Sequence, residues 1–363
     1  GWAAAKSGAA GCPLYEGVDA KKFPRGLKAV ADDIKALGLR PALWCGMMVG
    51  RDARLTLEHP EWLLRNKEGS PHYPGRFVLD CSQEAVRDFL VRTYRTIIRD
   101  WGYEGIKLDF WTYGFEDIDI CYSNDEKTSI EWRNWWLETL SGLLPDDGYL
   151  QSGCNVCSLS PFVTRYFDNI RYGVDVGIGD NWQAVLDSVT WLAPFSLAAP
   201  GKQFLPNSDA IGAMANMDSA KKRTWLSFCG VTGSALELGG DLRKENPKHW
   251  IDAQRILDGV KIGSPFMPVD FGTPSDPVPP TIWYCPGGMT QPGEQPAPLG
   301  MLCAFNWIGE GISRKQVTLA ELGLQCKSVN LKNFWTGKVT KAEQHITIPK
   351  IPPYDVWAVQ LYS

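Results

Sequence analysis

Histidine is scarce in this chain. Only His59, His72, His249 and His345 occur in 363 residues. None lies beside the polar strand ends described below, so imidazole-based catalysis has little to stand on. Ten cysteines are too few to build a disulfide scaffold at this length. Several sit in apolar segments, as in ALWCGMM and WLSFCGV, where a thiol behaves as a small buried hydrophobe. The one close pair, Cys154 and Cys157, has no second pair and no nearby histidine. Structural zinc is therefore not expected, and no other metal or cofactor is called for. No apolar run reaches the roughly 18 residues that cross a bilayer, so no membrane span is expected. Positive charge is not in excess either. A net charge of −4 gives no electrostatic reason to expect a nucleic-acid partner. A charged-then-apolar leader is missing, and the chain opens with Gly1-Trp2 rather than methionine. We read it as having lost something upstream. The sparse disulfide logic leans cytoplasmic rather than secreted.

What is present is ordinary in bulk and unusual in detail. Hydrophobic residues at 44% and charged residues at 21% describe a globular chain and exclude disorder or fibre. The length suits a large domain with a smaller one. Sixteen tryptophans and 36 glycines exceed what packing alone needs. Aromatic walls on glycine-rich loops suit flat apolar ligand faces, including those of sugars.

The first two-thirds alternate helical periodicity with short apolar strands. Pro24 opens a segment with Leu27, Val30, Ala31, Ile34 and Leu37 on one stripe, and Gly38 closes it. PALWCGMMV (41–49) reads as one strand buried on both faces. The stretch 83–101 reads as a helix with Ser82 as N-cap and Gly102 as stop. GIKLDFW (105–111) follows as a strand. Further strands are expected at 148–154, 169–175, 202–209 and 230–240, with helices near 126–144, 180–192 and 218–227. Helices of this length between strands specify parallel βα units, about six of them. Prolines at 268, 274, 277, 279 and 280 then mark a boundary. Beyond it come short strands: TIWYC, GMLCAFNWI, KQVTL, SVNLKNFW, HITI and DVWAVQLY. The expected fold class is α/β, a (β/α)8 TIM-type barrel followed by a C-terminal antiparallel β-sandwich. The domains are expected at 1–262 and 263–363.

In such barrels polar residues at the carboxyl ends of strands face the site. GIKLDFW places Lys107 and Asp109 two residues apart, on one side of the strand. NIRYGVD places Asp175 four residues after Arg171. Two carboxylates on different strands, without histidine, suit cleavage of a glycosidic bond. One stays ionised at an oxocarbenium-like centre and the other gives a proton to the leaving oxygen. Lys107 is expected to keep Asp109 charged. A plainer reading stands beside this one: Lys107 and Asp109 as a buried ion pair, and Asp180 as a helix cap.

Several segments resemble, in order, those of the melibiase-type α-galactosidases, glycoside hydrolase family 36, and more distantly family 27. KFPRGLKAVADDIKALGLRPALW resembles the family's helix and strand. LEHPEWLLR and FVLDCSQEAVRDFL follow, then GIKLDFW at the nucleophile strand, SGCN, RYGVD at the acid/base segment, and GSALELGGDL at the last barrel strand. The resemblance implies a retaining α-galactosidase acting on melibiose- or raffinose-type oligosaccharides. Asp109 would be the nucleophile and Asp175 the acid/base. Lys107 and Arg171 match sugar-hydroxyl contacts, and Trp44 matches the aromatic wall. Cys154 and Asn155 fall in the segment near the sugar's 2-hydroxyl. Packing remains the alternative for Trp44 and Cys154, and a structural tie to Asp168 or Asp175 for Arg171.

Three departures follow from the same resemblance. The family has a β-domain and two barrel strands ahead of the Gly-Trp that Gly1-Trp2 matches. The second of those strands ends in two aspartates that hold the galactose 4- and 6-hydroxyls. The barrel is therefore expected to be N-terminally incomplete, which leaves a catalytically inactive carbohydrate-binding fragment as an alternative. Gly153-Cys154-Asn155 replaces a common Gly-Cys-Gly, which keeps N-acetylgalactosamine open at the 2-position. PNSDA (206–210) matches only loosely, and no role is carried to it. The expected partner is an oligosaccharide, and a homo-oligomer is left open.

Overall fold

The computed structural model describes residues 2–4, 14–72, 76–115, 119–153, 162–176, 181–198, 204–211, 217–239, 242–244, 246–261, 263–312 and 315–363. The chain divides into two compact units, Gly1–Ile170 and Arg171–Ser363.

The first unit is a run of βα units. Helix α1 (Gly26–Ala36) precedes β1 (Ala42–Gly46), helix α2 (Glu84–Arg95) precedes β2 (Gly105–Asp109), and helix α3 (Ser129–Leu143) precedes β3 (Tyr149–Ser152). Strand β4 (Asn169–Arg171) follows, its last residue opening the second unit. The strands are parallel: Gly46 sits opposite Asp109, Leu108 opposite Ser152, and Ser152 opposite Ile170. Parallel pairing needs crossover connections of this kind, and the helices supply them.

Local chemistry fixes the helix ends. Helix α3 starts on a capping box in which the Thr128 hydroxyl accepts from Glu131 N while the Glu131 carboxylate accepts from Thr128 N. Helix α2 closes in a π-helical turn, Thr96–Asp100, before Gly102 at φ 73°. Two expectations are corrected here. Ser82 does not cap α2, whose N-cap is Gln83. Its amide donates to Asp80 and its hydroxyl accepts from Asn124 N, fastening a loop instead. The run 41–49 is not one strand. It breaks at Met47, whose carbonyl accepts from Leu79 N, and Met48–Gly50 pairs antiparallel with Arg76–Val78. Uniform apolarity conceals such a break.

The second unit holds α4 (Trp182–Leu192), β5 (Leu205–Ile211), α5 (Ser219–Val231), β6 (Ala235–Leu238) and α6 (Pro247–Gly259). Strands β5 and β6 are parallel, with a register shift between Ala235 and Glu237. The antiparallel β character expected of the C-terminal region is present. Strands β7 (Met267–Pro268), β8 (Ile282–Pro286), β9 (Gly300–Phe305), β10 (Gln316–Thr318), β11 (Ser328–Asn333), β12 (Val339–Glu343), β13 (His345–Thr347) and β14 (Val356–Tyr362) form one eight-stranded sheet. Its order is β7-β8-β9-β14-β11-β12-β13-β10, and its inner face gathers one core that includes Leu302, Val317, Ile346 and Leu361. Any two-layer form therefore arises by this one sheet folding over its own core.

Helix α5 joins the parallel strands to that sheet. Phe228 stacks on Trp225 at 5.4 Å and meets Trp283, Phe305, Trp307 and Tyr172 edge-on. Arg223 grips both oxygens of Asp355 at 2.8 Å. These contacts place the compact unit's start well before the proline-rich stretch. The described cysteines are free thiols, with Cys45 and Cys229 buried as their apolar neighbours imply. Burial pushes the Cys229 thiol up to about 12.

One carboxylate beside the C-terminal sheet, in the loop between β8 and β9, carries a stability prediction. Burial pushes the Glu294 carboxyl up, but donors from Lys332, Tyr362, Gln291 N and Gln360 outweigh it and hold the group at about 2. A depressed folded pKa gives stability that is complete above the unfolded value and lost as pH falls through the folded one. Glu294→Gln is expected to lose on the order of 2 kcal/mol at pH 7. Denaturation followed against pH should show the gap closing between about 4.5 and 2. A pH-independent gap would contradict the assignment.

Candidate active site

Strand β2 shows the alternation that sets up the first carboxylate. Ile106 and Leu108 are fully buried, whereas Lys107 and Asp109 are only partly so and share the other side of the strand. The register places Trp44 opposite Lys107 and Gly46 opposite Asp109. The Trp44 indole then reaches forward and its Nε1 donates to Asp109 Oδ2 at 2.8 Å. Phe110 N donates to Oδ1 at 3.0 Å. Donors at both oxygens fit an ionised carboxylate, which accepts at each.

The surroundings are aromatic and tightly set. Phe110 takes a left-handed conformation at φ 52°, turns its ring edge-on to Trp44 at 6.3 Å and stacks on Tyr113. Trp2 donates to the Trp44 carbonyl, and Trp111 donates to the Ser152 hydroxyl. At the end of β3, a Cβ on Gly153 would lie 3.0 Å from Asp109 Cγ and 3.2 Å from Lys107 Cε. A side chain at 153 would press on both Asp109 and Lys107. The neighbouring Cys154 and Asn155 lie outside the described residues, as does Asp180.

The second carboxylate stands in the other unit. Arg171 ends β4 with its side chain 9% exposed, and its Nη2 meets Asp175 Oδ1 at 2.7 Å. Asp175 is 55% exposed, so one face of this pair is open. Nη1 of the same guanidinium meets Asp209 at 3.3 Å, and Nε donates to the Gly173 carbonyl. The tie from Arg171 thus runs to Asp175 and Asp209. Asp168 is engaged elsewhere, accepting from Leu150 N.

Asp209 was not expected to take part. It is 6% exposed, sits at φ 68°, and accepts from Val176 N at 2.8 Å. Its own amide donates to Asn207 Oδ1, and Asn207 Nδ2 donates to Glu237 on β6. The signal was in PNSDA: polar residues inside a run that reads as a buried strand incur a large penalty unless paired. Gly173 packs against α4 so closely that a Cβ there would overlap Ser188. The loop bearing Asp175 is fastened on both sides.

Comparison with known proteins places these residues in a family context. Residues 15–131, the segment that holds Trp44, Lys107 and Asp109, match the Melibiase family model. Over 95 residues the chain is 33% identical to alpha-galactosidase AgaA of Geobacillus stearothermophilus, a quarter of this chain and 13% of that one. The match to alpha-galactosidase 2 of Pediococcus pentosaceus is similar, 32% over 94 residues, so the chain aligns with only 13% of the length of either. Among solved structures, a GH27 β-L-arabinopyranosidase from Geobacillus stearothermophilus matches at TM-score 0.69 and 14% identity, covering 100% of this chain and 86% of that one. At these identities the structural likeness establishes the fold alone.

The two carboxylates paired with Arg171 should differ in what they contribute to stability. In Asp209→Asn, the amide must aim its NH2 at either Arg171 or Val176 N, donor against donor. We expect a loss of about 3 kcal/mol in chemical denaturation. Asp175→Asn, at the open side, is expected to lose less than about 1 kcal/mol. Equal losses would contradict the division of roles.

Proposed function

We propose that this melibiase-type chain belongs to a retaining glycoside hydrolase that releases terminal α-linked galactose from oligosaccharides. The observation that carries the reading is the setting of Asp109. It stands at the end of a parallel strand inside the matched segment, its two oxygens satisfied by Trp44 and Phe110 and its flank closed by aromatic rings. A carboxylate held by two hydrogen bonds at a strand end is suited to attack at an anomeric carbon.

In the first half-reaction Asp109 attacks the anomeric carbon, and the bond to the leaving oxygen breaks as Asp175 delivers a proton to it. In the second, Asp175 takes a proton from water, which attacks the same carbon and frees Asp109. Arg171, shared between Asp175 and Asp209, holds the Asp175 carboxylate from behind and leaves its other side open. Lys107, beside Asp109 on the open side of β2, is placed to donate to sugar hydroxyls, and Trp44 to line the ring face. Catalysis then rests on chain residues 1–262, read as a TIM-type barrel domain, with 263–363 read as a C-terminal sandwich domain that packs on its helix α5.

The same mechanism with a different sugar, N-acetylgalactosamine, stays open because Gly153-Cys154-Asn155 stands where the resembled family commonly has Gly-Cys-Gly. Turnover of aryl α-galactoside, aryl α-N-acetylgalactosaminide and aryl β-L-arabinopyranoside side by side decides among them. L-Arabinopyranose keeps the galactose ring configuration without its exocyclic carbon. We expect the galactoside to lead. Asp109→Ala is expected to lose at least about 10⁴-fold in kcat, with azide partly restoring turnover and inverting the product anomer. Unchanged turnover in Asp109→Ala contradicts the assignment, and turnover of none of the three sugars favours a carbohydrate-binding fragment.

A further inference from the structure

The C-terminal sheet carries a second polar–apolar groove that shares no residue with either carboxylate cluster. Its cavity is about 430 Å³, on the small side of ligand pockets and large enough for one or two pyranose units. The ladder registers show how it forms. Trp357 pairs with Ala304, Val359 with Asn333, and Leu331 with Thr340, so these side chains lie on the inner face of the sheet. Along most of that face the core covers them. At this end the covering stops: Leu331 and Val359 are buried, Trp357 is half-buried against the core, and Thr340 opposite Leu331 is exposed.

A core face that opens to solvent on a tryptophan is a feature soluble proteins usually close or use. Among the described residues, no ring or cation stacks on the Trp357 indole and no protein group accepts from its N–H. The rim adds a hydroxyl from Thr340, an ammonium from Lys338 and an imidazole from His345. The rim's one carboxylate, Glu343, is paired with Lys341 at 3.2 Å. The result is a flat apolar platform with hydrogen-bonding groups around it and nearly no net charge. That combination matches a pyranose, whose C–H face is apolar and whose edge bears hydroxyls. It does not match nucleic acid, which needs a basic surface.

We infer that this groove is a non-catalytic binding site for neutral oligosaccharide, with one pyranose lying on Trp357. The sugar class rests on the hydrolase reading above; the groove itself does not. A second site on the chain that bears the reaction centre raises the effective concentration of a branched polysaccharide at that centre without altering turnover of small substrates.

Native electrophoresis through gels containing galactomannan tests this, using Asp109→Ala protein so that the matrix is not degraded. The parent is expected to be retarded relative to a polysaccharide-free gel. Trp357→Ala and, separately, Thr340→Arg are expected to weaken that retardation at least 5-fold. Thr340→Arg fills the groove from an exposed position, so it keeps the test valid where Trp357→Ala unfolds. With Asp109 intact, both variants should hydrolyse aryl α-galactoside like the parent. Retardation unchanged in Thr340→Arg, or a parent that is not retarded, overturns the site. Groove-dependent retardation by a protein that cleaves no galactoside leaves the site standing and removes the hydrolase reading.

Discussion

The register of β1 on β2 is the constraint from which the setting of Asp109 follows. Side chains alternate along a strand, so aligning Gly46 with Asp109 also aligns Trp44 with Lys107 and puts both polar groups on the side away from Ile106 and Leu108. A slip of one residue would bury Asp109 among apolar side chains and expose Leu108. The indole of Trp44 spans the two-residue offset to reach the carboxylate, and Gly153 on the neighbouring strand leaves the space it occupies. Aromatic rings pack around this point: Phe110 lies edge-on to Trp44 and stacks on Tyr113.

The second carboxylate is organised on the opposite principle. Asp175 is exposed, and its order comes from a buried guanidinium behind it. Arg171 is in turn anchored by Asp209, by the Gly173 carbonyl and, through Asn207 and Glu237, by the neighbouring strand. Burying such charges is unfavourable unless every partner is in place. The network therefore positions one accessible oxygen through several inaccessible ones.

Much of the architecture was legible because period and punctuation are strong signals. The stripe from Leu27 to Ile34, the stop at Gly38 and the pairing of Lys107 with Asp109 on one strand side appear as read, whereas Leu37, expected on the stripe, caps the helix in the open at 76% exposure. What escaped was context. The apolar run 41–49 carries no mark of its break at Met47, because the break is made by a carbonyl bonding to Leu79. Ser82 has the chemistry of a cap but spends it on Asn124, some 42 residues away. Asp209 escaped because PNSDA was judged by its likeness to a motif. The physical oddity, a carboxylate within a buried strand, was the better guide. Strands Met267–Pro268 and Val339–Glu343 were also missed, the latter because its lysine, threonine and glutamate face solvent at a sheet position.

The central claim is that Asp109 forms a covalent bond to the sugar. Incubating the protein with a fluorinated α-galactosyl fluoride, which forms the glycosyl-enzyme faster than water removes it, and mapping the adduct by peptide mass spectrometry tests this directly. The account predicts one hexosyl adduct, on the peptide containing Lys107, Leu108 and Asp109 and localised to Asp109. An adduct on another carboxylate, or product formation with inversion and no adduct, would contradict it.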